Sequence, residues 1–389
     1  MDWEPWLRKW SAEWISTENP DDLDPAVARD RWLGFAAATE DEVAAAEARL
    51  GVRLPPSYRE FLRCTNGWRH AGGFVYRMRD TTTLGWLRDL EPFWEEWEDL
   101  AEYEWENTAP DDGNRFSRGL LLSGETDAGI LFLDPGDVGE SGEWAAYSLF
   151  SWRAEPPARF PSFTALMERL YAEFHRMRKP AGETRDAWDA EVERARIAAL
   201  AGDLDIAGEV LKRAEDFGRE RATVVRTQLL LLSGRRYEAG MLLGRLLHPS
   251  FLSNGFLTDP LFTEELLPYL FDDHLRGAQP GGRSVLQGAL IGERLEIRAM
   301  VAENEPRFSR PGAGFTYGNA EFDQPVRDAR AEHPDNPEAL WAAVRTALPH
   351  WRPRTPDHVA PVALLADPVL AAVITPERGR ELLTTPRHP

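Results

Sequence analysis

Leu50-Gly-Val-Arg-Leu-Pro-Pro-Ser-Tyr-Arg-Glu-Phe-Leu-Arg-Cys-Thr-Asn-Gly-Trp68 decides the fold of the chain's first half. It reads as a helix end, a Pro-Pro corner, a second helix, and an Asn-Gly stop before an aromatic residue. Upstream, Thr39 followed by Glu42 has capping-box spacing, in which hydroxyl and carboxylate satisfy first-turn amides. Val43, Ala46 and Leu50 then fall at i, i+3 and i+7, a narrow apolar stripe. Gly51 stands where a C-terminal glycine belongs. Pro55 and Pro56 suit a first helical turn, where the missing N–H has no partner to lose. Tyr58, Phe61, Leu62 and Thr65 repeat at helical spacing and give the second helix one buried face. Asn66-Gly67 can enter the left-handed region and is expected to end it.

Outward from this corner, Trp3, Trp6, Trp10 and Trp14 recur at helical spacing and share one face. A short N-terminal helix docked on the domain is expected, with an aromatic contact surface as the other reading. Downstream, "HAGGFVYRMRDTT" carries a Gly-Gly and a short β-like run. Ile130–Leu133 and Trp144–Phe150 read as strands, with turns over Asp134–Asp137 and Gly139–Gly142. Asp134, Asp137 and Glu140 do not have the spacing of a calcium loop. Ser162 is placed to cap a closing helix whose buried face is Phe163, Leu166, Leu170 and Phe174.

Between Arg88 and Arg115 the chain has no basic residue. Trp94, Glu95, Glu96, Trp97, Glu98, Asp99, Glu102, Tyr103 and Trp105 crowd this stretch, and Leu90, Trp94, Trp97 and Ala101 have amphipathic-helix spacing. One reading is a solvated acidic helix whose tryptophans fill the core. The other is an acidic, aromatic-edged surface for a basic partner, since aromatic anchors ringed by charge suit docking and electrostatic steering. The nine residues from Trp94 to Trp105 named above are the candidate partner-binding set.

"ATEDEVAAAEARLGVRLPPSYREFLRCTNGW" closely resembles the N-terminal signature of the SMI1/KNR4 family, the SUKH superfamily. The matching positions are Leu50, Gly51, Leu54, Pro55, Tyr58, Phe61, Leu62, Asn66 and Gly67. "GILFLDPGD", "EWAAYSLFSW" and "FPSFTALMERLYAEF" have counterparts in the family's later strands and closing helix. The resemblance covers about residues 30–178, and its signature residues are structural rather than catalytic. It implies a binding protein, because proteins of this kind are widely immunity proteins of bacterial toxin systems that bind a cognate toxin, commonly a nuclease. Eukaryotic relatives in cell-wall and signalling control leave a regulatory or scaffold protein as the alternative, and an uncharacterised hydrolase as a further one.

The second half changes character. "AGDLDIAGEVL" at 201 and "SGRRYEAGMLL" at 233 match at Gly202/Gly234, Ala207/Ala239, Gly208/Gly240 and Leu211/Leu243, a period of 32. That resembles the helix–turn–helix of tetratricopeptide-type repeats, or a plain pair of helical hairpins. Asp259-Pro and Asp367-Pro are expected to open helices, as is Asp335-Asn-Pro. Residues 276–283 and Pro306–Pro325 read as loops. The expected fold is therefore α+β. An N-terminal domain of helices on a mainly antiparallel sheet (1–178) precedes a mostly α-helical domain (183–389), repeat-like over 186–248 and irregular over 249–389.

The 389 residues carry 45 Lys and Arg against 65 Asp and Glu, a net charge of −20. Such a charge argues against nucleic acid or an anionic membrane as partner, because both repel acid. About three quarters of the excess lies in residues 1–178. The lone Cys64 excludes an intrachain disulfide and a cysteine metal cluster; it reads as a packed thiol. With no apolar run long enough to span a bilayer, a cytoplasmic protein is expected. Phosphate-loop, dinucleotide, zinc-protease and serine-hydrolase motifs are missing, and the eight His are scattered. No catalytic residue, cofactor or metal is expected, and the chain is read as a non-enzyme.

Overall fold

The computed structural model describes residues 1–95, 115–153, 155–248, 252–275, 284–291, 294–308 and 314–387. The chain forms two compact units: Met1–Arg185 with Asp216–Gly218, and Asp186–Glu215 with Arg219–Pro389. The first is α+β, with two antiparallel sheets; the second is mostly helical.

In the first unit the corner is built from α3 (Glu40–Leu50) and α4 (Pro56–Cys64), after α1 (Trp3–Ser16) and α2 (Pro25–Asp30). The capping box closes: the Thr39 hydroxyl accepts from the Glu42 N–H at 3.2 Å, and the Glu42 carboxylate accepts from the Thr39 N–H at 2.8 Å. Gly51 ends α3 in the left-handed region, φ +74°. Tyr58, Phe61 and Leu62 are fully buried.

The second helix stops earlier than the Asn-Gly pair suggested. Thr65 is already extended. Its hydroxyl accepts from the Phe35 N–H at 2.8 Å and donates to the Gly67 carbonyl at 2.7 Å. These tertiary bonds favour leaving the helix at once. Gly67, φ +102°, then turns the chain into β1 (Trp68–Ala71), and a Cβ there would lie 3.1 Å from the Met78 carbonyl oxygen. Asn66 holds a different element. Its amide oxygen accepts from the Thr81 N–H at 2.8 Å, and its amide nitrogen donates to the Thr81 hydroxyl at 3.0 Å. Arg49 donates to the carbonyls of Thr81 and Leu84, so the loop after β2 (Val75–Met78) is pinned from two sides.

α1 docks as expected. Trp3, Trp10 and Trp14 are buried. Trp3 meets Phe61 edge-on at 5.3 Å, and Trp10 lies 5.8 Å from Trp68. Among the described residues the indole N–H groups of Trp3, Trp10 and Trp68 find no hydrogen-bond acceptor. The rings packed around them offer π faces, which are weak acceptors. Glu13 adds a polar clamp, accepting from the Tyr171 hydroxyl and lying 3.0 Å from His175 Nε2. Burial pushes its carboxyl up, but bonds with His175, Thr184 and Tyr171 outweigh this and hold it below its ordinary value.

One sheet has the order β1-β2-β5. The other has the order β3-β4-β6-β7-β8. The remaining strands are β3 (Gly85–Trp86), β4 (Leu120–Leu121), β5 (Ser123–Thr126), β6 (Gly129–Val138), β7 (Trp144–Phe150) and β8 (Ala158–Phe160). Side chains alternate between faces along a strand. Leu131, Leu133 and Ala146 therefore join the main core with the aromatic residues of α1 and α4 and with α7 (Phe163–Arg178). Ile130, Phe132, Ala145, Tyr147 and Leu149 form a second apolar layer on the opposite face. Ser162 caps α7, accepting from the Ala165 N–H at 3.2 Å.

Asp134–Asp137, read as a turn, continues β6 instead, with a slip in pairing between Asp134 and Val138. The turn lies beyond, at Gly139–Gly142. Arginines make the difference. Arg118 donates to buried Asp134 at 2.5 and 2.8 Å, and Arg159 to Asp137 at 2.6 and 2.7 Å, so these acids can stay in a strand.

The second unit takes up helix Glu183–Ala201 from Asp186 on and helix Leu204–Asp216 as far as Glu215, and continues with Glu220–Leu232 and Arg236–Leu247. Gly202 and Gly234 turn the chain at φ +101° and +76°, and Ala207, Ala239, Leu211 and Leu243 are fully buried. The period of 32 is thus two helix–turn–helix pairs. Asp259 and Asp367 each accept a backbone N–H, from Leu261 at 2.8 Å and Val369 at 2.9 Å, and each opens a helical segment. Asn336 caps Pro337–Ala347. Pro306 and Pro325 do not bound a loop. They lie inside the helices Leu295–Phe308 and Ala320–Glu332. Each proline removes one helical bond, yet Phe308 on one helix and Phe322 and Val326 on the other are buried and hold them. Of the expected loop, residues 314–319 are non-helical.

Candidate partner-binding surface

The outer face of the five-stranded sheet carries both ends of the acidic stretch. After β3, α5 (Leu87–Leu90) begins with Leu87 donating its N–H to the Gly119 carbonyl at 2.8 Å. Glu91 leaves the helical region at φ −141°, and Pro92–Glu95 makes a single 3₁₀ turn. The chain is described again in α6 (Arg115–Arg118). Trp94 and Phe116 are both buried in the second apolar layer, with Leu87, Leu121, Ile130, Phe132 and Tyr147. The Trp94 indole donates to the Glu91 carboxylate at 3.0 Å. Phe116 sits 5.5 Å from Phe132, which stacks on Tyr147 at 5.2 Å. Phe93, beside Trp94, is 61 % exposed.

Of the residues expected to meet a partner, Trp94 points into this layer and Glu95 closes the 3₁₀ turn. Glu96, Trp97, Glu98, Asp99, Glu102, Tyr103 and Trp105 lie outside the described residues. Of the amphipathic spacing from Leu90 to Ala101, the described part is not α-helical: α5 ends at Leu90, Glu91 leaves the helical region and Pro92–Glu95 is the 3₁₀ turn, while residues 96–101 lie outside the described residues. Trp94 therefore anchors the stretch to its own sheet.

A charged rim lies on the same face. The Tyr147 hydroxyl donates to Asp137 at 2.6 Å, and the Arg115 guanidinium sits 4.8 Å from the Tyr147 ring. Arg159 beside Asp137, with the Tyr147 bond, holds that carboxyl down at about 2, while burial and the Asp137 bond push the Tyr147 phenol up to about 12. At neutral pH both groups keep fixed protonation states. Sequence reading missed this cluster because 137, 147 and 159 meet only through strand pairing. Cys64 is half-buried, and burial pushes its thiol up, against a nucleophilic role. Among the described residues no group of three His, Cys, Asp or Glu could hold a metal, and no helix is long and apolar enough to cross a membrane.

The first unit is an α+β domain whose five-stranded sheet is covered on both faces, with Trp94 and Phe116, the two ends of the acidic stretch, packed on one of them. Residues 37–169 match the SMI1 / KNR4 family (SUKH-1), and this part of the chain is its SUKH-1 domain. The matched stretch spans the corner, both sheets and the start of α7. No curated protein and no solved structure matches the chain.

Proposed function

We propose that this chain is a non-enzymatic immunity protein that neutralises a basic toxin domain, a nuclease, by binding it and occluding its substrate. The carrying observation is the insertion between Trp94 and Phe116, held at both ends on one sheet face. Its residues from Glu96 to Asp112 include eight acids and no base. The SUKH-1 match supports the class, since the family includes immunity proteins. A nuclease must be basic where it holds phosphates. The same surface therefore attracts this acidic insertion, whose charges raise the association rate and set the register while Trp97, Tyr103 and Trp105 supply apolar anchors. The test is inhibition. The purified chain, mixed with a basic nuclease domain encoded beside its gene, stops DNA or RNA cleavage at a one-to-one ratio. A neighbourhood without any toxin gene, or a nuclease that stays active in excess chain, contradicts the proposal.

A further inference from the structure

A second aromatic feature of the first unit lies where β7 ends. Trp152 is 49 % exposed yet locked in place. Its indole N–H donates to the Asp127 carbonyl at 3.1 Å. Its ring meets Phe74 edge-on at 4.7 Å and tilts over Phe150 at 5.8 Å. The cluster already holds one cation. The Arg153 guanidinium lies 5.0 Å from the Trp152 ring, 4.6 Å from Phe150 and 5.5 Å from Phe74, and it donates to the buried carboxylate of Glu173 at 2.5 Å. Arg153 is thereby neutralised. Asp127, the residue of the β5–β6 hairpin whose carbonyl takes the indole N–H, is not: it is exposed and its carboxylate makes no ion pair among the described residues. A half-exposed tryptophan held beside an unpaired aspartate attracts a cation through its ring face and a point charge together.

We propose that Trp152 is a second docking point, taking an arginine side chain of the basic partner on its open ring surface beside Asp127. Arginine suits it better than lysine, because a planar guanidinium stacks on the ring and still reaches a carboxylate. This rests on the reading of a basic protein partner but uses residues outside the acidic insertion. A second docking point would also help to fix the partner's orientation, which one patch of charge cannot do.

The experiment uses the full chain labelled with 5-fluorotryptophan, with the Trp152 resonance assigned from Trp152→Phe. A tetra-arginine peptide is the probe, and tetra-glutamate the control. The Trp152 resonance shifts saturably with tetra-arginine and not with tetra-glutamate. Asp127→Asn weakens the response at that resonance roughly two- to five-fold, the range of an exposed ion pair. A Trp152 resonance that stays still while those of Trp97 and Trp105 move overturns the second docking point and leaves the proposed function standing. No movement anywhere overturns it too. A Trp152 shift that follows protein concentration without peptide assigns the surface to a second copy of the chain and also overturns it. Failure of nuclease inhibition is read separately, from cleavage.

Discussion

Trp94 and Phe116 bracket the acidic insertion, and both are buried in one apolar layer on the outer face of the five-stranded sheet. The segment suited to meet a partner is thus clamped at its two ends by the domain's own packing. Replacing Trp94 with Ala removes a buried aromatic and should destabilise the domain by about 3 kcal/mol or more. Urea unfolding checks it, and a change below about 1 kcal/mol would mean that Trp94 is no anchor.

Asn66 is expected to act through the loop it holds. Asn66→Ala breaks both bonds to Thr81 and leaves a partly buried N–H without its acceptor. The expected cost is about 1–3 kcal/mol. Hydrogen exchange of the Thr81 amide should accelerate beyond what the global loss of stability explains; unchanged protection would contradict the role.

His70 should stay neutral well into the acid range. Its ring stacks on Trp14 at 4.2 Å, and burial, then the charges of Arg178 and Arg69, bring its pKa down to about 4 from 6.5. A depressed histidine means that the unfolded chain binds the extra proton first. His70 therefore weakens the fold as pH falls from 6.5 towards 4, and has no such effect above 6.5. An NMR titration of the His70 ring is the check, and a midpoint near 6.5 would be the contrary result.

Asp137 works in the opposite sense. Its carboxyl, held at about 2 against an ordinary 3.8, adds stability above pH 3.8 that disappears as pH falls through 2. Asp137→Asn should be less stable than the parent at pH 7, and the two should converge between pH 3.8 and 2. A difference that is independent of pH would show that Arg159 and Tyr147 do not hold the charge.

In the second unit, Gly379 allows two helices to touch. A Cβ there would stand 2.0 Å from the Leu232 carbonyl oxygen. Backbone cannot move aside as a side chain can, so Gly379→Ala should cost roughly 1–3 kcal/mol, the range for overpacking. Thermal unfolding of the full chain reads it, and an unchanged midpoint would contradict the close approach.

What could be read from the sequence was local. The capping box at Thr39, the left-handed Gly51, the buried stripe of α4 and the glycine turns at 202 and 234 each depend on a few neighbouring residues, and they form as expected. The departures come from partners far along the chain. Thr65 leaves the helix because it bonds Phe35, and Asp134 and Asp137 stay in a strand because Arg118 and Arg159 neutralise them. The candidate surface was legible as composition, an acidic stretch without a base. The geometry of its first residues was not: the spacing gave no sign that Glu91 leaves the helical region and that Trp94 turns inward. Trp152 read only as the end of a strand, since its ring partner Phe74 and its acceptor Asp127 reach it through the fold.

The central claim is that the insertion between Trp94 and Phe116 binds a basic toxin domain. Its most direct test is calorimetric titration of that nuclease domain into the full chain, with and without Glu95, Glu96, Glu98, Asp99 and Glu102 changed to their amides, across a tenfold range of salt. Binding should be tight for the parent and weaken steeply with salt, because exposed charges are screened. The amide variant should bind at least about tenfold more weakly, with a shallower salt slope, as expected when steering charges are lost. Equal affinity and equal salt dependence in the two proteins would contradict the claim.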